Sequence, residues 1–145
     1  VSQIEIARAI AHIAHIGQTD KAGNPYIEHP ARVAQRLSAE GNSENVVAAG
    51  WLHDVLEDSP ATRDDLHAAG VDWLVINMVE LVTRTPDVTP EDYYAAIGRH
   101  GGATSIKLAD IADNTDPSRL ALLDDATIAR LTRKYAKARR LIEAA

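Results

Sequence analysis

Glycine and proline fall singly along this chain, as punctuation between short segments, and almost every segment they bound carries a helical period. β-branched residues nowhere alternate with polar ones for long, so strand signals are weak and the fold is expected to be all-α. Ser2-Gln3-Ile4-Glu5 fits a capping box, with Ile6, Ile10 and Ile13 at helical spacing, so a first helix should run to about Ile16 and stop at Gly17. A turn-rich loop over 18–28 leads to Pro30, which suits the first position of a helix ending before Gly41. Ser43 caps a strongly apolar third helix expected to continue through Leu56 until Ser59-Pro60. Thr62 opens another capping box, Gly70 stops that helix, and a further one spans Trp73 to about Arg84. Thr89-Pro90 starts the next, Gly101-Gly102 separates it from Ala103–Asp113, Pro117-Ser118 opens a short helix, and 126–144 form the long last one.

The 145 residues, with neither internal repeat nor linker, are enough for one compact domain that buries roughly two-thirds of its unfolded surface. The absence of cysteine excludes disulfides, thiolate nucleophiles, iron–sulfur clusters and cysteine zinc sites, and leaves His, Asp and Glu as metal ligands. No apolar run approaches the roughly 20 residues that span a bilayer, and no basic-then-apolar leader opens the chain, so it reads as cytoplasmic. The net charge of −6 is unevenly spread: residues 127–145 carry +5, leaving −11 on the rest. An acidic body of this kind is a poor nucleic-acid binder and needs cations to accept a phosphorylated ligand. The basic residues from Arg130 to Arg140 read as a solvated helix face.

The chemistry concentrates in the third helix. His53 and Asp54 are adjacent within its apolar run, and Glu57 and Asp58 follow one turn later. On one continuous helix these make two stacked pairs, His53 over Glu57 and Asp54 over Asp58. Three neighbouring carboxylates repel unless a cation sits among them, and a divalent metal resolves the conflict. The mixed nitrogen and oxygen donors suit Mn, Fe or Zn better than calcium. His29, restrained between Pro25 and Pro30, and Asp110, in the apolar stretch around Ile106 to Ala112, are the candidates for further ligands.

Four strings surround these residues: Gly17-Gln18; Gly23-x-Pro25-Tyr26-Ile27-x-His29-Pro30; Leu52-His53-Asp54-x-x-Glu57-Asp58; and Ile106-Lys107-Leu108-Ala109-Asp110-x-x-x-Asn114. In order and spacing, over about residues 6–123, they resemble the HD superfamily of metal-dependent phosphohydrolases, and within it the hydrolase domain of the RelA/SpoT alarmone enzymes and their small stand-alone relatives. The resemblance implies the all-helical HD fold and one divalent metal, usually Mn2+, held by His29, His53, Asp54 and Asp110. It implies that Glu57 and Asp58 are the catalytic acidic pair that orients and deprotonates water, and that Asn114 helps hold a nucleotide near the metal. The implied reaction removes pyrophosphate from the 3′ position of guanosine tetra- or pentaphosphate. No residues remain for a synthetase domain, so the expected direction is breakdown.

Two positions depart from that pattern. The family's loop Arg-Lys pair is Asp20-Lys21 here, so Lys21 is kept as a phosphate contact or a solvated loop lysine while the arginine has become an acid. Ile111 replaces a common arginine after the metal aspartate. An aspartate cannot stack on a purine as a guanidinium does. Two other readings therefore stand beside the alarmone one: a nucleotidase or phosphatase of the same fold acting on another nucleotide, and a non-catalytic nucleotide sensor. Several residues keep a second reading: Glu57 and Asp58 as end groups of their helix, Asn114 as a helix cap, Lys107 as an ion-pair partner or a substrate contact. His12 and His15 are expected to be structural, His67 and His100 to lie on the surface, Tyr26 to anchor its loop, and Trp51 and Trp73 to lie in a core or interface. The partner is a small nucleotide; an oligomer is compatible with the chain, but no feature points to one.

Overall fold

The structure, a computed structural model, describes residues 1–145 and contains ten helical segments and no strand, apart from a lone bridge between Thr19 and Pro25. The order is α1 (Gln3–Ala14), α2 (Glu28–Ala39), α3 (Glu44–Leu52), α4 (Val55–Asp58), α5 (Arg63–Ala68), α6 (Trp73–Val82), α7 (Pro90–Gly98), α8 (Gly101–Asn114), α9 (Pro117–Leu120) and α10 (Asp125–Glu143). The starts expected from the sequence are present as hydrogen bonds. Ser2, Ser43, Thr62 and Thr89 each accept a backbone N–H three residues on, and at Thr62 the reciprocal bond from Asp65 completes the box. No helix is long and apolar enough to cross a membrane.

Four boundaries differ from the sequence expectation. α1 ends at Ala14, with His15 as its cap, and the chain turns through Gly17 at φ +78°. α2 begins two residues before Pro30, still within the first turn, where a missing N–H costs nothing. Gly101 and Gly102 lie inside the first turn of α8, capped by the His100 imidazole, instead of ahead of it. The third helix is not continuous: it ends at Leu52, the chain turns at His53-Asp54, and α4 follows as a separate short segment. The Gly50 carbonyl accepts a hydrogen bond from His53 Nδ1 at 2.7 Å, which competes for the acceptor that helix continuation needs, and Asp54 adopts φ −108°, ψ 0°.

α3 is the central helix. α1, α2, α6 and α8 all pack on it, and 27 buried residues form one contiguous core. α10 closes the far side against α7 and α8 through Leu131, Tyr135, Ala138 and Ile142, spaced as one helical stripe. The approach of α2 to α3 depends on Gly50, where an added Cβ would stand 2.5 Å from Leu37 Cδ1 and 3.6 Å from Val33 Cγ1. This contact sets the distance between the two helices that carry His29 and His53. Replacing Gly50 with valine should overpack the contact and lower stability by about 1–3 kcal/mol, visible as a lower urea midpoint at unchanged slope. An unchanged midpoint would mean that the helices have room to part.

Candidate metal centre

Two helices and one helix break converge on a single point. His29 stands in the first turn of α2, His53 and Asp54 occupy the turn between α3 and α4, and Asp110 lies one turn before the end of α8. His29, His53 and Asp110 are buried and Asp54 is half-buried. Had the third helix continued, Asp54 would have stacked over Asp58; the break instead brings Asp54 Oδ2 within 3.0 Å of His53 Nε2 and 3.8 Å of His29 Nε2. Asp110 Oδ1 stands 2.9 Å from His29 Nε2 and 3.5 Å from His53 Nε2. One donor atom each from His29, His53 and Asp54 lie within 4.8 Å of one another, and Asp110 approaches both imidazoles from a further side.

The two imidazoles present the same edge to the centre. His53 Nδ1 donates to the Gly50 carbonyl and His29 Nδ1 donates to Asp113 Oδ2 at 2.6 Å, which leaves both Nε2 atoms facing each other at 3.2 Å. At most one proton fits between them, whereas a divalent cation uses both lone pairs. Metal–donor lengths of about 2.0–2.2 Å place adjacent donors roughly 3.0–3.4 Å apart, close to the spacings found. Two neutral imidazoles with two carboxylates fit a borderline divalent metal, and these four residues could hold one.

The surrounding charges point the same way. Burial alone would strip His53 of its proton, yet the Asp54 charge and the hydrogen bond with Asp110 hold it well above the usual histidine range. His29 is likewise raised, its bonds to Asp110 and Asp113 outweighing burial. Asp110 is kept well below the carboxylate range despite its burial by the Lys107 charge and by the His29 and His53 bonds. Lys107 Nζ sits 2.9 Å from Asp110 Oδ2 and Asn114 Nδ2 donates to Asp110 Oδ1 at 3.0 Å, so this carboxylate is oriented from both sides. Of its two sequence readings, Lys107 takes the ion pair.

Glu57 and Asp58 line up after Asp54 on α4, both exposed. Glu57 Oε1 accepts the Arg84 backbone N–H, and the Asp58 backbone carbonyl accepts from Gln18 Nε2 at 2.8 Å, while the Asp58 carboxylate has no protein partner. Partial burial and the Asp54 charge raise both carboxyls above their ordinary values, although the Arg84 N–H pulls Glu57 back. A carboxylate with a raised pKa takes a proton more readily, which suits a general base.

Beside the centre lies a cavity of about 350 Å³ bounded by the loop carrying Asp20, Lys21 and Asn24, by Tyr26 and Tyr135, by Asn114 and by the 119–123 segment. It abuts the metal donors through Tyr26, whose hydroxyl donates to Asp54, and through Asn114. Lys21 is an exposed wall residue, and Tyr26 anchors its loop with its ring between those of His15 and His29. His15 is buried as a structural residue against Gln18; His67 and His100 are exposed. Trp51 is half-buried in the core margin, whereas Trp73 is 40 % exposed, stacked on His67 and under Arg63, because its helix starts at the surface.

Sequence reasoning missed Asp113, Arg32 and Arg119. Asp113 is buried behind His29, and Arg32 Nε and an Arg119 amino group each donate to it at 2.8 Å. Desolvation would raise its pKa, but His29, Arg32 and the Arg119 charge bring it down to about 2, so it stays ionised. A carboxylate that takes the second nitrogen of a histidine ligand fixes its tautomer and ring plane. The available signal was a second acid three residues after Asp110, on the same face of an apolar helix.

Known proteins share both this sequence pattern and this fold. Over 66 residues, 46% of this chain and 9% of the relative, the sequence is 41% identical to the bifunctional (p)ppGpp synthase/hydrolase SpoT of Escherichia coli (strain K12). A GTP pyrophosphokinase of Streptomyces coelicolor is 33% identical over 121 residues, 77% of this chain and 14% of that protein. The chain thus spans about a tenth of the length of the curated relatives it matches. A solved structure described as a metazoan ortholog of SpoT that hydrolyzes ppGpp superposes with a TM-score of 0.78 over 97% of this chain and 84% of the other, at 24% identity. A family model described as an HD domain matches residues 7–96, which include His29, His53, Asp54, Glu57 and Asp58; the chain belongs to the HD domain family.

Proposed function

We propose that this protein is a metal-dependent phosphohydrolase whose substrate is guanosine 3′,5′-bis(diphosphate), cleaved to GDP and pyrophosphate. The observation that carries the reading is the pair of imidazole Nε2 atoms facing each other at 3.2 Å between two carboxylates, beside two further carboxyls of raised pKa. The ligands are His29, His53, Asp54 and Asp110; the donor set suits Mn2+, Fe2+ or Zn2+, and the resemblance to the alarmone hydrolases favours Mn2+ among them. A bound divalent cation supplies a lowered water pKa, a polarised phosphoryl oxygen and compensation for the anionic substrate.

The residues of the chain do the rest. Glu57 and Asp58 accept a proton from the water that attacks the phosphorus attached to the 3′ oxygen. The bond from phosphorus to that oxygen breaks, the water oxygen leaves on pyrophosphate, and the 3′ oxygen takes a proton. Asn114 and Lys21 hold the nucleotide in the adjoining cavity, where both are wall residues. The names of the relatives in E. coli and S. coelicolor, and the ppGpp hydrolysis ascribed to the superposed metazoan protein, support a guanosine polyphosphate substrate. Asp20, in the place of the family's arginine, gives a second reading its footing: a nucleotidase or phosphatase of the same fold with another nucleotide.

A panel of nucleotides, assayed with added metal and separately for pyrophosphate and orthophosphate, tests the assignment. Pyrophosphate from the guanosine tetraphosphate is the expected product; orthophosphate from simple nucleotides would move the assignment to the second reading, and tight binding without turnover would make the protein a sensor. His53→Ala should lose both metal and turnover, whereas Glu57→Gln should keep the metal and lose about 10²–10⁴ in rate. Full turnover in metal-loaded Glu57→Gln would remove Glu57 from catalysis.

The raised histidine pKa values carry a sign. In the metal-free protein these rings bind protons more tightly than free histidine, so metal must displace them. Apparent Mn2+ affinity should rise with pH through and above neutrality and level off only when the rings are deprotonated, with proton release in calorimetry run in buffers of different ionisation enthalpy. Asp113→Asn should lower metal affinity by about 10–100-fold by leaving His29 unoriented. An unchanged affinity would make Asp113 a packing residue.

A further inference from the structure

The cavity beside the metal centre is lined by two charged side chains that come from separate parts of the chain, Asp20 in the loop before α2 and Arg119 on α9. Asp20 sits in a loop pinned to itself: its N–H donates to the Asn24 carbonyl, its Oδ1 accepts from the Ala22 and Asn24 N–H groups at 2.9 Å each, and Gly23 makes the turn at φ +88°. Oδ1 is fully used by the loop. The other oxygen, Oδ2, has a single protein neighbour, an Arg119 amino nitrogen 3.4 Å away. Arg119, arriving from α9, is held by Asp113 Oδ2 at 2.8 Å and by Asn114 Oδ1 at 3.3 Å, while its Nε–H has no protein acceptor. Both side chains line the cavity together with Tyr26, Tyr135, Leu122 and Leu131, which offer flat apolar walls.

A rigid carboxylate acceptor next to a rigid guanidinium donor is complementary to a heterocycle edge that sets a ring N–H beside a carbonyl, and among the purines that edge distinguishes guanine from adenine. Guanine presents adjacent atoms of matching polarity: N1–H and the 2-amino group donate, and O6 accepts. Adenine presents the reverse, with N1 accepting and the 6-amino group donating, so it would set like against like at both positions. We infer that Asp20 and Arg119 are the specificity pair of this protein, Asp20 Oδ2 taking the N1–H side and Arg119 taking O6 of a 6-oxopurine base. This rests on reading the cavity as the nucleotide pocket. It gives the acid at position 20 a role that an arginine there could not fill, since a second cation in that place would repel Arg119 and present no acceptor.

GDP and ADP carry identical phosphates, so the ratio of their affinities isolates the base edge. Titrated calorimetrically into the full chain with Mn2+, GDP should bind at least about tenfold tighter than ADP, the discrimination expected of one well-made polar contact pair. Asp20→Asn keeps a carbonyl oxygen for the Ala22 and Asn24 N–H groups and turns an amide donor towards the base, so the ratio should fall below one. Asp20→Ser keeps a turn-capping hydroxyl without the carboxylate and should bring the ratio close to one. Metal affinity in both variants should match the unsubstituted protein, since Asp20 touches no ligand. A GDP preference that survives both substitutions, or no preference in the unsubstituted protein, would overturn the pair. Selective binding that both substitutions abolish, in a protein that does not hydrolyse guanosine 3′,5′-bis(diphosphate), would support the pair and overturn the proposed reaction.

Discussion

The facing Nε2 atoms of His29 and His53 impose the condition that the rest of the structure meets. Bringing two imidazole edges to 3.2 Å needs helices that pack without a side chain between them, and Gly50 opposite Leu37 and Val33 provides that approach. It also needs each ring turned so that Nδ1 points away from the centre and finds an acceptor. Gly50 answers again, with its carbonyl for His53, and Asp113 on α8 answers for His29. The same carbonyl bond accompanies the interruption of the third helix, and the interruption re-aims Asp54 at the centre. One short stretch, from Gly50 to Asp54, thus sets the helix spacing, one ring orientation and the position of one carboxylate. A buried polar group without a partner costs roughly 1–3 kcal/mol, so each of these bonds matters to folding as well as to the site.

What was legible in the sequence was what local chemistry determines. Ser2, Ser43, Thr62 and Thr89 announce helix starts because a cap is a bond across three residues, and the period of the apolar positions fixes which face is buried. The candidate ligands were legible for a different reason: an ionisable pair inside an apolar run is costly unless something compensates it. The break at His53-Asp54 was not legible, since the local sequence Trp51 to Leu56 reads as uninterrupted helix and the competing His53–Gly50 bond is set by how the buried His53 ring packs. Asp113 and Arg119 were hidden for a related reason. Their partners His29 and Asp20 lie 84 and 99 residues away, and no periodicity links positions that far apart.

The departure at position 20 shows how a site can change without losing its frame. Asp20 carries two backbone caps of its loop, so its side chain has a folding role independent of any ligand. Arg119 is joined to Asp113 and through it to His29, so Asp20 is linked to a candidate metal ligand through two intervening side chains. Arg119 and His29 share the Asp113 carboxylate but do not touch each other. The connection is spatial, and its energetic weight is what Asp113→Asn measures.

Charge accounting around the centre separates the acids that hold the structure from those left for chemistry. Asp110 is matched by Lys107, Asp113 by Arg32 and Arg119, and Asp20 by Arg119. Asp54 has only histidines and the Tyr26 hydroxyl, Glu57 only a backbone N–H, and the Asp58 carboxylate nothing. In an acidic protein the acids at the surface are solvated and screened, so leaving them unmatched costs little. These three are clustered on one turn of chain beside the two facing imidazole nitrogens, and partial burial together with the Asp54 charge raises the carboxyl pKa values of Glu57 and Asp58. A divalent cation held by the facing imidazoles and Asp54 would offset that charge and leave the Glu57 and Asp58 carboxylates without a cationic partner.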